Sequence, residues 1–190
     1  MRVKWVTVMV LMLGVMLITN AGWADDVTDS IDEALEYYKA GAYTDAVGSL
    51  NYASQLIQQK KGEKLKSMLP KPLDGWKAQE ATSQAVGAAM MGGGLSAERS
   101  YSKESSTVDI QIITDSPIMQ GMMMMFSNPM LAASDGGKLQ KIGRQKAIVK
   151  YDAQNKSGDI NVVVANRFLV TIEGRDISEA DLKAYAKAVD

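Results

Sequence analysis

The sequence predicts an α+β protein: an antiparallel β-sheet domain with a Met-rich helix and a C-terminal helix packed on it, preceded by an antiparallel helical hairpin. Three observations carry this. Residues 107–114, 159–165 and 168–173 alternate apolar and polar side chains, as strands of a sheet with one buried face do. Glycine and asparagine cluster in short turns between the later strands, which favours antiparallel pairing of neighbours. Towards the two ends, residues 31–57 and 182–189, apolar positions recur three and four apart, the helical period.

Residues 1–24 read as a secretory signal peptide. Arg2 and Lys4 form a basic start, Trp5–Ile18 is apolar, and Gly22 and Ala24 are the small residues before a cleavage site at Asp25. The run is short for a membrane span, which needs about 20 apolar residues. The expected mature chain begins at Asp25, works in the periplasm or outside the cell, and is not transmembrane; an uncleaved anchor is the alternative.

Residues 25–67 read as two helices. Ser30 with Glu33 three positions on makes a capping-box pattern. Ile31, Ala34, Leu35 and Tyr38 form an apolar face that Ala40-Gly41 ends. The second helix starts near Thr44 or Asp45, has a face of Ala46, Val47, Leu50, Ala53, Leu56 and Ile57, and closes at Lys60-Lys61-Gly62. The pattern Gly41-x-Tyr43-x-x-Ala46-x-x-x-Leu50-x-x-Ala53 resembles the middle and second helix of a tetratricopeptide repeat, over about residues 30–58. The resemblance implies that small residues bring the two helices together and that Tyr43 wedges between them. It also implies docking or self-association, because a solenoid needs about three repeats and one copy is present.

Met68–Asp74, with Pro70 and Pro72, reads as a stiff linker over residues 68–75. The sheet domain follows over residues 76–190. Trp76–Ala81 is its first expected strand. Ser83–Gly94 reads as a flap or a helix ending in a flexible turn; its three glycines lack the strand, helix and Lys-Ser/Thr context of a phosphate loop. Strands are expected at 96–103, 107–114, 138–142, 145–152, 159–165 and 168–173, and a helix capped by Ser178 closes the chain. The layout is similar to that of small extracytoplasmic α/β sandwiches, the PsbP-like type among them, without a motif that assigns a family.

Two absences restrict the chemistry. Without cysteine there is no disulfide, and without histidine no Ser-His-Asp or Cys-His nucleophile can be assembled. Removing Arg2 and Lys4 from the 21 basic residues leaves 19 against 22 acidic, a net charge of −3, which does not favour nucleic acid. A non-enzymatic binding or assembly protein is therefore expected.

The stretch Asp115–Ser134 holds six of the thirteen methionines. Asp115 or Ser116 is the expected cap, Pro117 the first helical residue, and Met119, Met122, Met123, Phe126 and Met130 one continuous face. Asn128-Pro129 either kinks this helix or starts a second one. Met122, Met124, Met125 and Phe126 are the expected partner-binding residues, for a protein, a peptide or an apolar ligand, with self-association a further use, because thioethers suit adaptable apolar contacts. The alternative is a Cu(I) site of Met90, Met91, Met119, Met122 and Met123, soft ligands in a compartment that handles copper.

Overall fold

The computed structural model describes residues 25–85, 94–134 and 136–189. The fold is α+β, as the patterning predicts. The chain divides into two compact units, residues 1–57 and 58–190. The division falls inside the second helix, and the Met68–Asp74 connector lies within the second unit.

In the first unit, helix α1 spans Asp26–Lys39 and helix α2 spans Tyr43–Lys66. Asp25, not Ser30, caps α1: its carboxylate accepts from the Val27 and Thr28 N–H groups at 3.2 and 3.1 Å. An acidic cap followed by Asp26 and Asp29 suits the positive end of the helix dipole. That moves the start forward and leaves Ser30 buried inside the helix, its hydroxyl donating to the Asp26 carbonyl at 2.6 Å. The helix ends in a Schellman turn. Gly41 takes φ +79°, its N–H bonds Tyr38 O at 3.1 Å, and the Ala42 N–H bonds Tyr37 O at 2.9 Å.

Apart from Val27, the residues buried in the hairpin are small. Ala34, Ala46, Ala53, Ser30 and Ser49 are all covered, and the Ser49 hydroxyl donates to Glu33 Oε2 at 2.9 Å. Most of the larger apolar residues of the hairpin, Ile31, Leu35, Val47 and Leu50 among them, are exposed.

Helix α2 does not stop at Lys60-Lys61-Gly62. It runs on to Lys66 because Leu65 enters the core of the second unit. Gly62 permits this: a Cβ there would sit 2.6 Å from Ser83 Oγ.

The second unit is built on an eight-stranded sheet. Strands β1 (Lys77–Ala78), β2 (Thr82–Ala85), β3 (Leu95–Lys103), β4 (Ser106–Thr114), β5 (Lys138–Ile142), β6 (Gln145–Asp152), β7 (Ser157–Val164) and β8 (Phe168–Arg175) are ordered β1-β3-β4-β8-β7-β6-β5, with β2 also on β3. All pairings are antiparallel. The expected strand Trp76–Ala81 is reduced to Lys77–Ala78, because Trp76 and Ala81 at its ends turn into the core. Residues 83–85, expected as the start of the flap, pair with Leu95–Ala97 instead. The rest of that segment, residues 86–93, lies outside the described residues.

One sheet face carries the main core: Val108, Ile110 and Ile112 of β4, Val170 and Ile172 of β8, Ile160 and Val162 of β7. Helix α5 (Glu179–Ala188) covers it with Leu182, Tyr185 and Ala186, joined by Leu65, Leu69 and Trp76. Ser178 caps α5 as expected, accepting from the Asp181 N–H at 3.1 Å. Helices α3 (Ile118–Ser127) and α4 (Pro129–Ser134) approach β6 and β5.

The Pro70 connector is bolted to the sheet. Its carbonyl accepts from the Tyr101 hydroxyl at 2.6 Å and from Arg99 Nη1 at 3.3 Å. Tyr185 packs edge-on to Trp76 at 5.2 Å and tilted on Tyr101 at 4.7 Å, yet its buried hydroxyl, close to the Leu73 backbone, completes no hydrogen bond of ordinary geometry. The two phenols should therefore respond oppositely to loss of oxygen. Tyr101→Phe costs about 1 kcal/mol by stripping Pro70 of a donor, and Tyr185→Phe gains about 1 kcal/mol by removing an unsatisfied group. Urea midpoints of the two variants check this, and a loss of stability in Tyr185→Phe refutes it. Burial pushes the Tyr185 hydroxyl up to about 12 from an ordinary 10.0. The unfolded chain ionises first, so stability falls as pH rises from 10 towards 12, and Tyr185→Phe flattens that fall.

Candidate functional site

Two apolar surfaces are built locally, one on α3 and α4 and one on the hairpin. Ahead of α3, Asp115 adopts a left-handed φ of +58° and its carboxylate takes Lys61 Nζ at 2.9 Å. That hydrogen bond, with the charges of Lys61 and Arg167, holds the Asp115 carboxyl below its ordinary pKa. Asp115 therefore does not cap the helix, and Ser116 contributes its carbonyl, which accepts the Met119 N–H at 3.1 Å. Pro117 takes the N-cap place in helical conformation with no side-chain cap.

Asn128 separates the two helices. Its extended backbone (φ −125°) ends α3 through an N–H bond to Met124 O at 3.0 Å. Its side-chain Oδ1 accepts the Met130 N–H at 3.1 Å and starts α4. This is the second-helix alternative of the sequence reading. It overturns the continuous face, because the break turns Met130 away from Met119. Met119 is 8% exposed and Met130 81%.

The expected partner-binding residues are divided by this geometry. Met124 is 66% exposed. Met122, Met125 and Phe126 are half-buried. Phe126 and Met123 line a cavity of about 460 Å³ with Leu139, Val163, Arg144 and Lys146. With Met130 and Leu131 also exposed, α3 and α4 present large apolar side chains over successive turns. Gly137 brings this layer close to the sheet: a Cβ there would lie 2.7 Å from Ile148 Cγ2 and 2.9 Å from the Ala132 carbonyl.

Of the Cu(I) set, Met90 and Met91 lie outside the described residues. Met119 is buried while Met123 faces the cavity, so these two sulfurs are not presented together on one exposed surface. Among the described residues no group of three His, Cys, Asp or Glu could hold a metal ion.

The hairpin surface was not legible as a surface. Ile31, Leu35, Tyr38, Val47, Leu50 and Ile57 carry the helical periodicity of a buried face, yet all are exposed, as is Tyr43 at 64%. Tyr38 and Tyr43 lie ring to ring at 5.8 Å. The covered positions of the hairpin are mostly alanine and serine, and the larger side chains are mostly exposed. The presence of small residues at Ala34, Ala46 and Ala53 was the available signal. Among the described residues no helix is long and apolar enough to cross a membrane. No protein-family model, curated protein or solved structure matches this chain.

Proposed function

We propose that this protein is an exported, non-enzymatic binding or assembly protein that uses the helical hairpin and the Met-rich helix as protein-contact surfaces. One observation carries the reading: the hairpin exposes Ile31, Leu35, Tyr38, Tyr43, Val47, Leu50 and Ile57. Scattered exposed apolar residues are ordinary, but a contiguous set marks an interaction surface. A tetratricopeptide-like unit has such a face because each repeat buries its large residues against the next layer. Here a partner chain takes the place of that layer. The exposed Met124, Met130 and Leu131 provide a second, adaptable surface.

The test compares the purified protein with the protein in the cells that make it. In isolation, peroxide oxidises Met124 and Met130 about tenfold faster than Met119, since susceptibility follows exposure. In intact cells Met124 and Met130 are protected, and a photo-crosslinker placed at Val47 yields a discrete protein adduct. Equal oxidation in both settings together with no adduct at Val47 refutes the proposal. N-terminal sequencing of the cellular protein checks export: it begins at Asp25, and retention of Met1 refutes that part.

A further inference from the structure

On the core side of the sheet, two apolar openings share Met68 and Phe168. One, about 210 Å³, is lined by Met68, Ile112, Val164, Phe168, Val170 and Val189. The other, about 120 Å³, adds Leu65, Leu95 and Thr114 and is lined also by Lys61, Lys64 and Arg167. All of these residues belong to the second unit.

We propose that this slot binds a single-chain carboxylate amphiphile, a fatty-acid anion, with its chain against Ile112, Val170 and Val189 and its carboxylate between Lys64 and Arg167.

The apolar opening determines which part of a ligand it takes. Every described residue lining it is apolar. A sugar, a nucleotide or a peptide backbone would leave polar groups there without partners, at a substantial cost. A hydrocarbon chain has none to lose. The volume is below the roughly 300 Å³ at which ordinary small-molecule pockets begin, which admits one chain and not two. Met68, exposed and unbranched, stands at the junction of the two openings, where a flexible thioether yields to an entering chain.

The cation-lined opening determines the head group. Three cations, Lys61, Lys64 and Arg167, line it. The single carboxylate of Asp115, bonded to Lys61 at 2.9 Å and felt also by Arg167, offsets one of the three positive charges, so the opening keeps a net positive charge. The Arg167 guanidinium lies over the Phe168 ring, 5.5 Å from its centroid. Phe168 lines both openings, so this places a fixed cation where the apolar part ends. An anion is favoured there, and a cationic head is opposed.

This site shares no residue with the surfaces proposed above, so the two readings stand or fall separately. The experiment is calorimetric titration of the purified protein with octanoate, decanoate and dodecanoate, and with dodecyltrimethylammonium. Affinity rises about fourfold per added methylene and levels off once the slot is filled. The dodecyl cation binds at least about tenfold more weakly than dodecanoate, and Lys64→Gln with Arg167→Gln lowers dodecanoate affinity by a similar factor. Val164→Trp, at a half-buried wall position, fills the slot and removes binding while the melting transition is retained. Should Val164→Trp unfold, the two surface variants still decide the matter. No binding of any carboxylate at millimolar concentration overturns the proposal. So does equal binding of the cation, or a dodecanoate affinity that is unchanged by the Lys64 and Arg167 variants but lowered by Leu50→Asp.

Discussion

Gly158→Ala lowers the stability of the sheet unit by about 3 kcal/mol or more, the cost of forcing a side chain into paired backbone. Gly158 sits on β7 directly opposite Tyr151 of β6 and Gly174 of β8. A Cβ there would run into the Lys150 carbonyl oxygen and come within 3.0 Å of the Tyr151 Cα. Neither can move freely, since Lys150, Tyr151 and Asp152 are all paired to β7. The absent side chain also serves the Tyr151 ring, which would meet the added Cβ at 3.0 Å and whose hydroxyl donates to the Ile177 carbonyl at 2.7 Å. Gly174 has a different surround. Its Cβ would meet the side-chain ends of Ile177 and Leu182 at 2.6 and 2.8 Å. Side chains yield more readily than ladder backbone, so Gly174→Ala costs less, about 1–3 kcal/mol. Urea unfolding of the two variants checks the order. A Gly158→Ala variant within about 0.5 kcal/mol of the parent, the range of an ordinary surface change, refutes it.

Leu50→Asp combined with Val47→Asp abolishes the hairpin crosslink in cells while the isolated protein unfolds at an unchanged midpoint. Leu50 is 52% exposed and Val47 similar, so the charges remain hydrated in the free protein and change stability by about 0.5 kcal/mol or less. Against an apolar partner the same charges must lose their water, a large penalty. Ala53→Leu provides the contrast. Ala53 is buried, and a larger side chain there costs about 1–3 kcal/mol by overpacking its surround. The result that matters is the inversion: large residues on this hairpin tolerate charge, and small ones do not tolerate enlargement. A Leu50→Asp, Val47→Asp protein that unfolds early places those side chains in the fold, not at an interface.

Local signals in the sequence located most of the strands. The spans Lys138–Ile142 and Gln145–Asp152 coincide with β5 and β6, because Gly143, at φ +57°, marks the turn between two alternating runs. The end of α1 at Gly41 and the start of α5 at Ser178 are legible for the same reason: a left-handed glycine and a capping hydroxyl act within four residues of themselves. The misreadings arise where a distant residue intervenes. Asp115 has the identity of a cap, but Lys61, 54 positions earlier, takes its carboxylate. Lys60-Lys61-Gly62 has the composition of a helix end, but Leu65 in the core and Ser83 against Gly62 keep the chain helical.

The sequence by itself determined the class of the fold and the kinds of residue available for contact: alternating strands, two helical segments before them, a methionine-rich helix broken at Asn128, and no histidine or cysteine. Periodicity and capping are short-range properties, and a single chain carries them in full. Tertiary structure alone decided the strand order, in which β4 is followed in the chain by β5 at the far edge and pairs instead with β8. It also decided which apolar faces stay exposed. Helical periodicity shows that a face is apolar but not what covers it, and in the hairpin the covered positions are mostly alanine and serine, while leucine, valine and tyrosine side chains stay exposed.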